Sequence, residues 1–132
     1  MSLGSKIIST GIGLPERVMK NVEFESFLDT TDEWIRTRTG IETRRIVDPA
    51  KGENTLSLCT IAAKQALERA SLRGEDLGLI LTGTLTMNTV MPTNSNQIQA
   101  AVGAHRAFSF DLQAACSGFV YALSIADHFI RA

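Results

Sequence analysis

Ala107-Phe108-Ser109-Phe110-Asp111-Leu112-Gln113-Ala114-Ala115-Cys116-Ser117-Gly118 decides the fold, because it places a thiol where a strand turns into a helix. The first part, Ala107 to Leu112, alternates apolar and polar residues and reads as a short strand. Beyond Gly118, the residues Phe119, Val120, Leu123, Ala126 and Ile130 recur at helical spacing and predict a helix to Ile130. Cys116 then falls at the first turn, where unpaired N–H groups and the positive end of the helix dipole favour thiolate. Ala114 and Gly118, two positions either side, are small enough for a tight elbow with an exposed nucleophile. A lone cysteine has a plainer reading as a buried structural thiol, since free Cys is among the most buried residue types.

Working outward, Lys6 to Ile12 reads as a first strand closed by Gly13-Leu14-Pro15. Asn21 suits the cap of a short helix from Val22 to Leu28, and Thr31 the cap of a second beginning at Asp32 and ended by Thr39-Gly40. Ile41 to Val47 extends as a strand or hairpin arm, and Asp48 to Asn54 is turn-rich. Leu56 to Ala70 is the clearest helix, with Leu56, Cys59, Ala63, Ala66, Leu67 and Ala70 on one stripe. Leu77 to Leu81 reads as a second core strand and Thr86 to Met91 as a loop. Pro92 suits a helix start and Gly103 its end. This alternation of strands and helices predicts an α/β sheet with right-handed crossovers. No internal repeat, low-complexity run or linker interrupts the chain, which reads over 1–132 as one unit.

The 132 residues are 44% hydrophobic and 20% charged, with a net charge of −1, as in an ordinary globular protein. So balanced a charge gives no argument for nucleic acid or for an anionic membrane surface. The longest uncharged stretch, Leu112 to Ala126, has 15 residues and falls short of the roughly 20 that span a bilayer. Cys59 and Cys116, without a spacing motif, argue against a zinc site or a disulfide scaffold. Met1-Ser2-Leu3 reads as an added leader, no secretory signal is visible, and a reducing cytoplasm fits. Gly11-Ile12-Gly13 and Thr82-Gly83-Thr84 complete neither a dinucleotide nor a P-loop fingerprint.

Three segments carry a family resemblance. Asp111-Leu112-Gln113-Ala114-Ala115-Cys116-Ser117-Gly118-Phe119-Val120-Tyr121-Ala122-Leu123 closely resembles the active-site segment of 3-oxoacyl-(acyl-carrier-protein) synthase III, which starts type II fatty acid synthesis. Asp29 to Ile41, containing Asp32-Glu33-Trp34-Ile35-Arg36-Thr37-Arg38, resembles the same family, as does the opening Lys6 to Pro15. The resemblance implies a thiolase-like α/β fold, a mixed sheet with covering helices, of which this chain is an incomplete first half of five layers. It then reads as a fragment, a truncated reading frame or one piece of a split protein.

The resemblance also implies roles. Cys116 is the residue acylated from acetyl-coenzyme A or another acyl-coenzyme A. The acyl-enzyme then condenses with malonyl-acyl-carrier-protein, losing carbon dioxide. Trp34 and Arg38 match the residues that hold the adenine end of coenzyme A, and Thr30 a nearby position that assists. They suit that task, since an indole stacks on a purine and a guanidinium stacks or pairs with phosphate. Four apart, they share one helix face. The plainer reading makes Trp34 an anchor to the core and Arg38 solvated. Met91 matches a position that reaches across a homodimer interface into the partner's acyl pocket, or else simply packs there. Arg36 has no such match and reads as solvated, and Cys59 as core.

No cofactor, metal, nucleic acid or membrane is implied. The family's histidine and asparagine lie in the second half, and neither His105 nor His128 matches them. The chain alone is therefore expected not to complete condensation efficiently. Two other readings stand beside this one: a starter enzyme for polyketides or alkyl-quinolones, and a catalytically incomplete module that associates through its last helix. That helix is apolar around much of its circumference and expects protein on several sides. A thiol redox protein is disfavoured, because no resolving cysteine lies near Cys116 in sequence.

Overall fold

The structure, a computed structural model, describes residues 4–132, so Met1-Ser2-Leu3 lies outside the described residues. These form two compact units, Leu14–Asn54 and the described residues up to Gly13 together with Thr55–Ala132.

In the smaller unit, β1 (Arg17–Lys20) pairs antiparallel with β2 (Thr43–Ile46), Val18 opposite Arg45 and Lys20 opposite Thr43. Between them lie α1 (Asn21–Phe24) and α2 (Asp32–Thr39). Thr31 caps α2 as its sequence predicts, its hydroxyl accepting from Trp34 N at 3.1 Å. Gly40 ends the helix at φ 71°, a left-handed conformation that glycine adopts without penalty. Ile35 and Met19 supply the buried apolar side chains.

Asn21 departs from expectation. It is the first residue of α1 rather than its cap, and α1 is a single turn instead of a helix to Leu28. The Asn21 amide is fully buried, donating to Asp32 Oδ1 at 3.0 Å and Ile41 O at 2.6 Å and accepting from Arg44 at 2.9 Å. Three distant partners outcompete one local cap. Val22, Phe27 and Leu28 stay exposed, so no apolar face is buried to carry the helix further.

In the larger unit, Lys6 to Ile12 forms no strand. It runs without regular structure against α3 (Thr55–Ala70), with Ser9 Oγ donating to Ala66 O at 2.6 Å and Ile12 N to Gln65 Oε1 at 2.9 Å. A Cβ at Gly11 would overlap the Ala62 carbonyl, and one at Gly13 the Leu58 carbonyl. The two glycines let this segment lie on the helix backbone, so its polar groups find helix partners and not a neighbouring strand.

β3 (Leu79–Gly83) and β4 (Phe108–Leu112) pair in parallel, Leu81 opposite Phe110 and Gly83 opposite Leu112. The crossover that a parallel pair requires carries α4 (Asn94–Ala101). Pro92 does not start α4: it stands two residues ahead, after a cis Met91-Pro92 bond, and Thr93 is the cap. Ile98, Ala104 and Ala107 are the buried apolar residues here. Of the three core strands expected from sequence, two form among the described residues, and the antiparallel pair of the smaller unit is a separate sheet.

The last helix, α5 (Gly118–Arg131), keeps its expected apolar breadth. Phe119, Val120 and Ile130 are 68%, 63% and 61% exposed. Against β3 and β4 it borders a cavity of about 610 Å³ lined by Leu79, Leu81, Phe108, Phe119, Leu123 and Phe129.

Candidate functional site

Cys116 sits where β4 gives way to α5. Gln113 and Ala114 leave the strand, and Ala115 turns the backbone into the left-handed region at φ 45°. For a residue with a Cβ that conformation costs about 1–2 kcal/mol. A short 3₁₀ turn, Ala115–Ser117, follows and is closed by Ser117 N donating to Ala114 O at 2.9 Å. The strained turn holds Cys116 exposed, two residues ahead of Gly118, the first residue of α5. This is the elbow that the small residues around Cys116 predict.

Gly118 and Gly83 make the elbow possible from behind. A Cβ at Gly83 would stand 3.1 Å from the carbonyl carbon of Gly118, tighter than side chains normally pack. The end of β3 therefore lies directly against the start of α5. Within Thr82-Gly83-Thr84, Gly83 has this packing task.

Asp111 was not singled out from the sequence. Its carboxylate accepts from Asn94 N at 3.0 Å and Ser95 N at 2.8 Å, tying β4 to the start of α4. The available signal was an acidic residue within an apolar strand, five positions before the thiol. Cys59, on α3, is half-buried, and burial, with the Asp111 charge as the smaller cause, pushes its thiol up. His105 is exposed ahead of the far end of β4. His128 is exposed about three turns along α5 from Cys116, its Nδ1 2.7 Å from Ser124 O. Neither accompanies the thiol.

In the smaller unit, Trp34 is 55% exposed and Arg38 lies over it, Cζ 5.4 Å from the ring centroid. Trp34 is thus no core anchor. The two side chains form one aromatic and cationic platform on α2. The Thr30 hydroxyl is buried without a hydrogen-bond partner, while its backbone N donates to Leu28 O at 3.0 Å. Arg36 is exposed but paired with Glu42 at 3.2 Å and Asp32 at 3.6 Å, so its charge is largely answered locally. Met91 is 75% exposed, in a loop that also exposes Leu85 and Val90. Among the described residues no three His, Cys, Asp or Glu side chains group to hold a metal, and no helix is long and apolar enough to cross a membrane.

Comparison with known proteins supplies the context for these parts. The family model for 3-oxoacyl-[acyl-carrier-protein] synthase III matches residues 110–132, the elbow and α5. The chain is 49% identical over 129 residues to the beta-ketoacyl-[acyl-carrier-protein] synthase III of Aquifex aeolicus, covering 98% of this chain and 41% of that protein. The crystal structure of 3-oxoacyl-[acyl-carrier-protein] synthase III from Aquifex aeolicus superposes with a TM-score of 0.91 at 48% identity, over 96% of this chain and 40% of that one. A priming beta-ketosynthase from a polyketide biosynthetic pathway superposes with a TM-score of 0.90 at 37% identity, over 96% and 37%. The chain therefore spans about two fifths of the length of the relatives it matches. The thiolase-like α/β fold expected from the sequence holds.

Proposed function

Because this chain is a relative of the 3-oxoacyl-[acyl-carrier-protein] synthases III over nearly its whole length, we propose that it is the part of such a condensing enzyme that carries the acyl-accepting thiol. Residues 1–132 are then one N-terminal portion of the enzyme. The observation that carries this reading is the left-handed turn at Ala115, which presents an exposed Cys116 at the start of α5.

In the proposed reaction, the Cys116 thiolate attacks the carbonyl carbon of an acyl-coenzyme A. The carbon–sulfur bond to coenzyme A breaks, coenzyme A leaves as its thiolate, and the acyl group is held as a new thioester. The exposure of Cys116 leaves its sulfur open to the incoming thioester. Malonyl-acyl-carrier-protein then loses carbon dioxide, and its nucleophilic carbon takes the acyl group, returning Cys116 to thiolate. The 3-oxoacyl product starts fatty acid synthesis. The histidine and asparagine that this step uses in the family would come from the portion of the enzyme beyond this chain.

The Trp34–Arg38 platform receives the adenine end of the acyl-coenzyme A, its indole for the base and its guanidinium for the base or phosphate. Thr30, whose hydroxyl is buried without a protein partner, takes an assisting role there on the strength of the family match alone. Met91 borders the acyl pocket of a homodimer. The acyl-coenzyme A is a substrate, so no cofactor is needed, and we place the reaction in the cytoplasm with neither nucleic acid nor membrane as partner.

The test is condensation by the full-length protein carrying this chain. With acetyl-coenzyme A and malonyl-acyl-carrier-protein, 3-oxobutyryl-acyl-carrier-protein should form and should disappear with Cys116→Ala. Turnover that survives Cys116→Ala would overturn the proposal. A polyketide starter enzyme is the second reading, favoured by the priming ketosynthase likeness; it predicts longer or branched primers in place of acetyl. The exposed apolar face of α5 supports a third, in which the chain by itself associates and does not catalyse.

A further inference from the structure

The loop bearing Met91 has little apolar packing of its own, yet it is tied down at its base by polar contacts. Leu85, Val90 and Met91 point largely into solvent, 59%, 82% and 75% exposed. Asn88 N donates to the Asn94 side-chain oxygen at 3.2 Å, and Asn88 Oδ1 accepts from Leu56 N at 3.0 Å, where α3 begins. Gln97 donates from its side chain to Thr89 Oγ1 and to Pro92 O, each at 3.0 Å. Asn94 itself is wholly buried, and its backbone N is one of the two that the Asp111 carboxylate holds. Asp111 belongs to β4, the strand that leads into the Cys116 elbow. One connected network thus runs from the strand ahead of the thiol, through Asn94, to the backbone of the Met91 loop.

We propose that Asn94 and Asp111 are positioning residues that fix the Met91 loop and thereby help set which acyl chains Cys116 accepts. This rests on the reading of Cys116 as the acylated thiol and of Met91 as a wall of the acyl pocket. The physical case is that a loop with exposed apolar side chains is free to move unless its backbone is anchored. Asn94 is the anchor that accepts from a backbone N–H of the loop, that of Asn88. Asp111 holds that anchor through one charge-assisted bond from Asn94 N and a second from the adjacent Ser95 N. Loosening either lets Met91 sample more positions, which widens the space for a branched chain more than it changes the fit of acetyl.

The experiment compares acylation of Cys116 by acetyl- and isobutyryl-coenzyme A in the full-length protein, read as the ratio of their second-order rate constants by mass spectrometry. A variant that is merely less stable lowers both rates together and leaves the ratio alone. Asn94→Ala, Asp111→Asn and the surface change Asn88→Ala are each measured, with Met91→Ala as the reference. The proposal expects each anchor variant to raise the isobutyryl share by about threefold or more, the scale on which residues of one network couple. It also expects Asn94→Ala to add little once Met91 is alanine, and faster hydrogen exchange across 85–93 in Asn94→Ala. A ratio that moves with Met91→Ala but with no anchor variant overturns the proposal and leaves the reading of Met91 standing. A ratio indifferent to Met91→Ala overturns that reading and the selectivity claim together. If neither thioester acylates the parent, the reading of Cys116 fails and takes the selectivity claim with it, while unchanged exchange across 85–93 would separately overturn the anchoring.

Discussion

The guanidinium carbon of Arg38 lies 5.4 Å from the centre of the Trp34 ring, one helical turn away on α2. A tryptophan left 55% exposed at such a place loses apolar burial that a core position would have given it. Under the proposed function this exposed pair is the surface that receives the flat adenine ring, with the cation already over the indole.

Trp34→Ala should therefore weaken coenzyme A binding about tenfold, since one stacked base is worth about 1–3 kcal/mol. Arg38→Lys should weaken it less, keeping charge but losing the planar face. Titration calorimetry with free coenzyme A reads both. Alkylation of Cys116 by iodoacetamide should be unchanged in either variant. Equal affinity in Trp34→Ala would remove the platform from the account.

The two thiols should separate in reactivity. Cys116 is exposed, whereas Cys59 is half-buried with its thiol pushed up, first by burial and then by the Asp111 charge. Iodoacetamide near neutral pH should label Cys116 first, as peptide mapping would show. The raised Cys59 value also has a sign for stability. The folded state holds the proton more tightly, so this contribution is fully present below the unfolded thiol value of about 8.5 and is lost as pH rises through the folded one. Denaturation midpoints should thus fall above that point, and Cys59→Ala should flatten the fall.

Glycine positions give a contrast within one contact. Gly83→Ala would bring its Cβ within 3.1 Å of Gly118 backbone, while Gly118→Ala would stand 3.6 Å from Gly83 Cα, an ordinary contact. Gly83→Ala should cost about 1–3 kcal/mol, as overpacking does. Gly118→Ala should cost clearly less, because alanine also suits a helix. Urea denaturation of both variants checks the order, and the reverse order would contradict the elbow geometry.

Asn21→Ala should destabilise the smaller unit by about 1–3 kcal/mol or more, leaving the Ile41 carbonyl and the Arg44 guanidinium without their buried partner. Hydrogen exchange of β1 and β2 would report it locally. Unchanged protection there would mean that the amide is not the centre of that unit.

Much of this was legible from the chain, and the exceptions have physical reasons. The elbow could be read because strand alternation, small residues and helical spacing all change within a few positions around Cys116, and each is a local property. The caps at Thr31 and Gly40 are local in the same way. Lys6 to Ile12 was misread because its apolar spacing reports what is covered, whereas a strand needs a backbone partner; here the segment lies on α3 through Gly11 and Gly13. β1 escaped notice because only Met19 of its four residues is buried, leaving no alternation to see. The pairings of Asn94 and Asp111 carry no signal in the sequence, and Asn21 carries the wrong one, that of a local cap. Each is a polar residue whose partners lie at least six positions away along the chain, and spacing along a sequence carries no trace of such pairings. The pair Trp34 and Arg38 could be placed on one face from their spacing alone, but only the structure shows them stacked.

The central claim is that the elbow presents Cys116 as an acyl acceptor. Intact-protein mass spectrometry before and after incubation with acetyl-coenzyme A tests it most directly, with Cys116→Ala as the control. The account predicts a gain of one acetyl group in the full-length protein, and in this chain alone if it loads without the remainder of the enzyme, with no gain in Cys116→Ala. A full-length protein that binds coenzyme A yet gains no acetyl group, or gains it equally in Cys116→Ala, would contradict it.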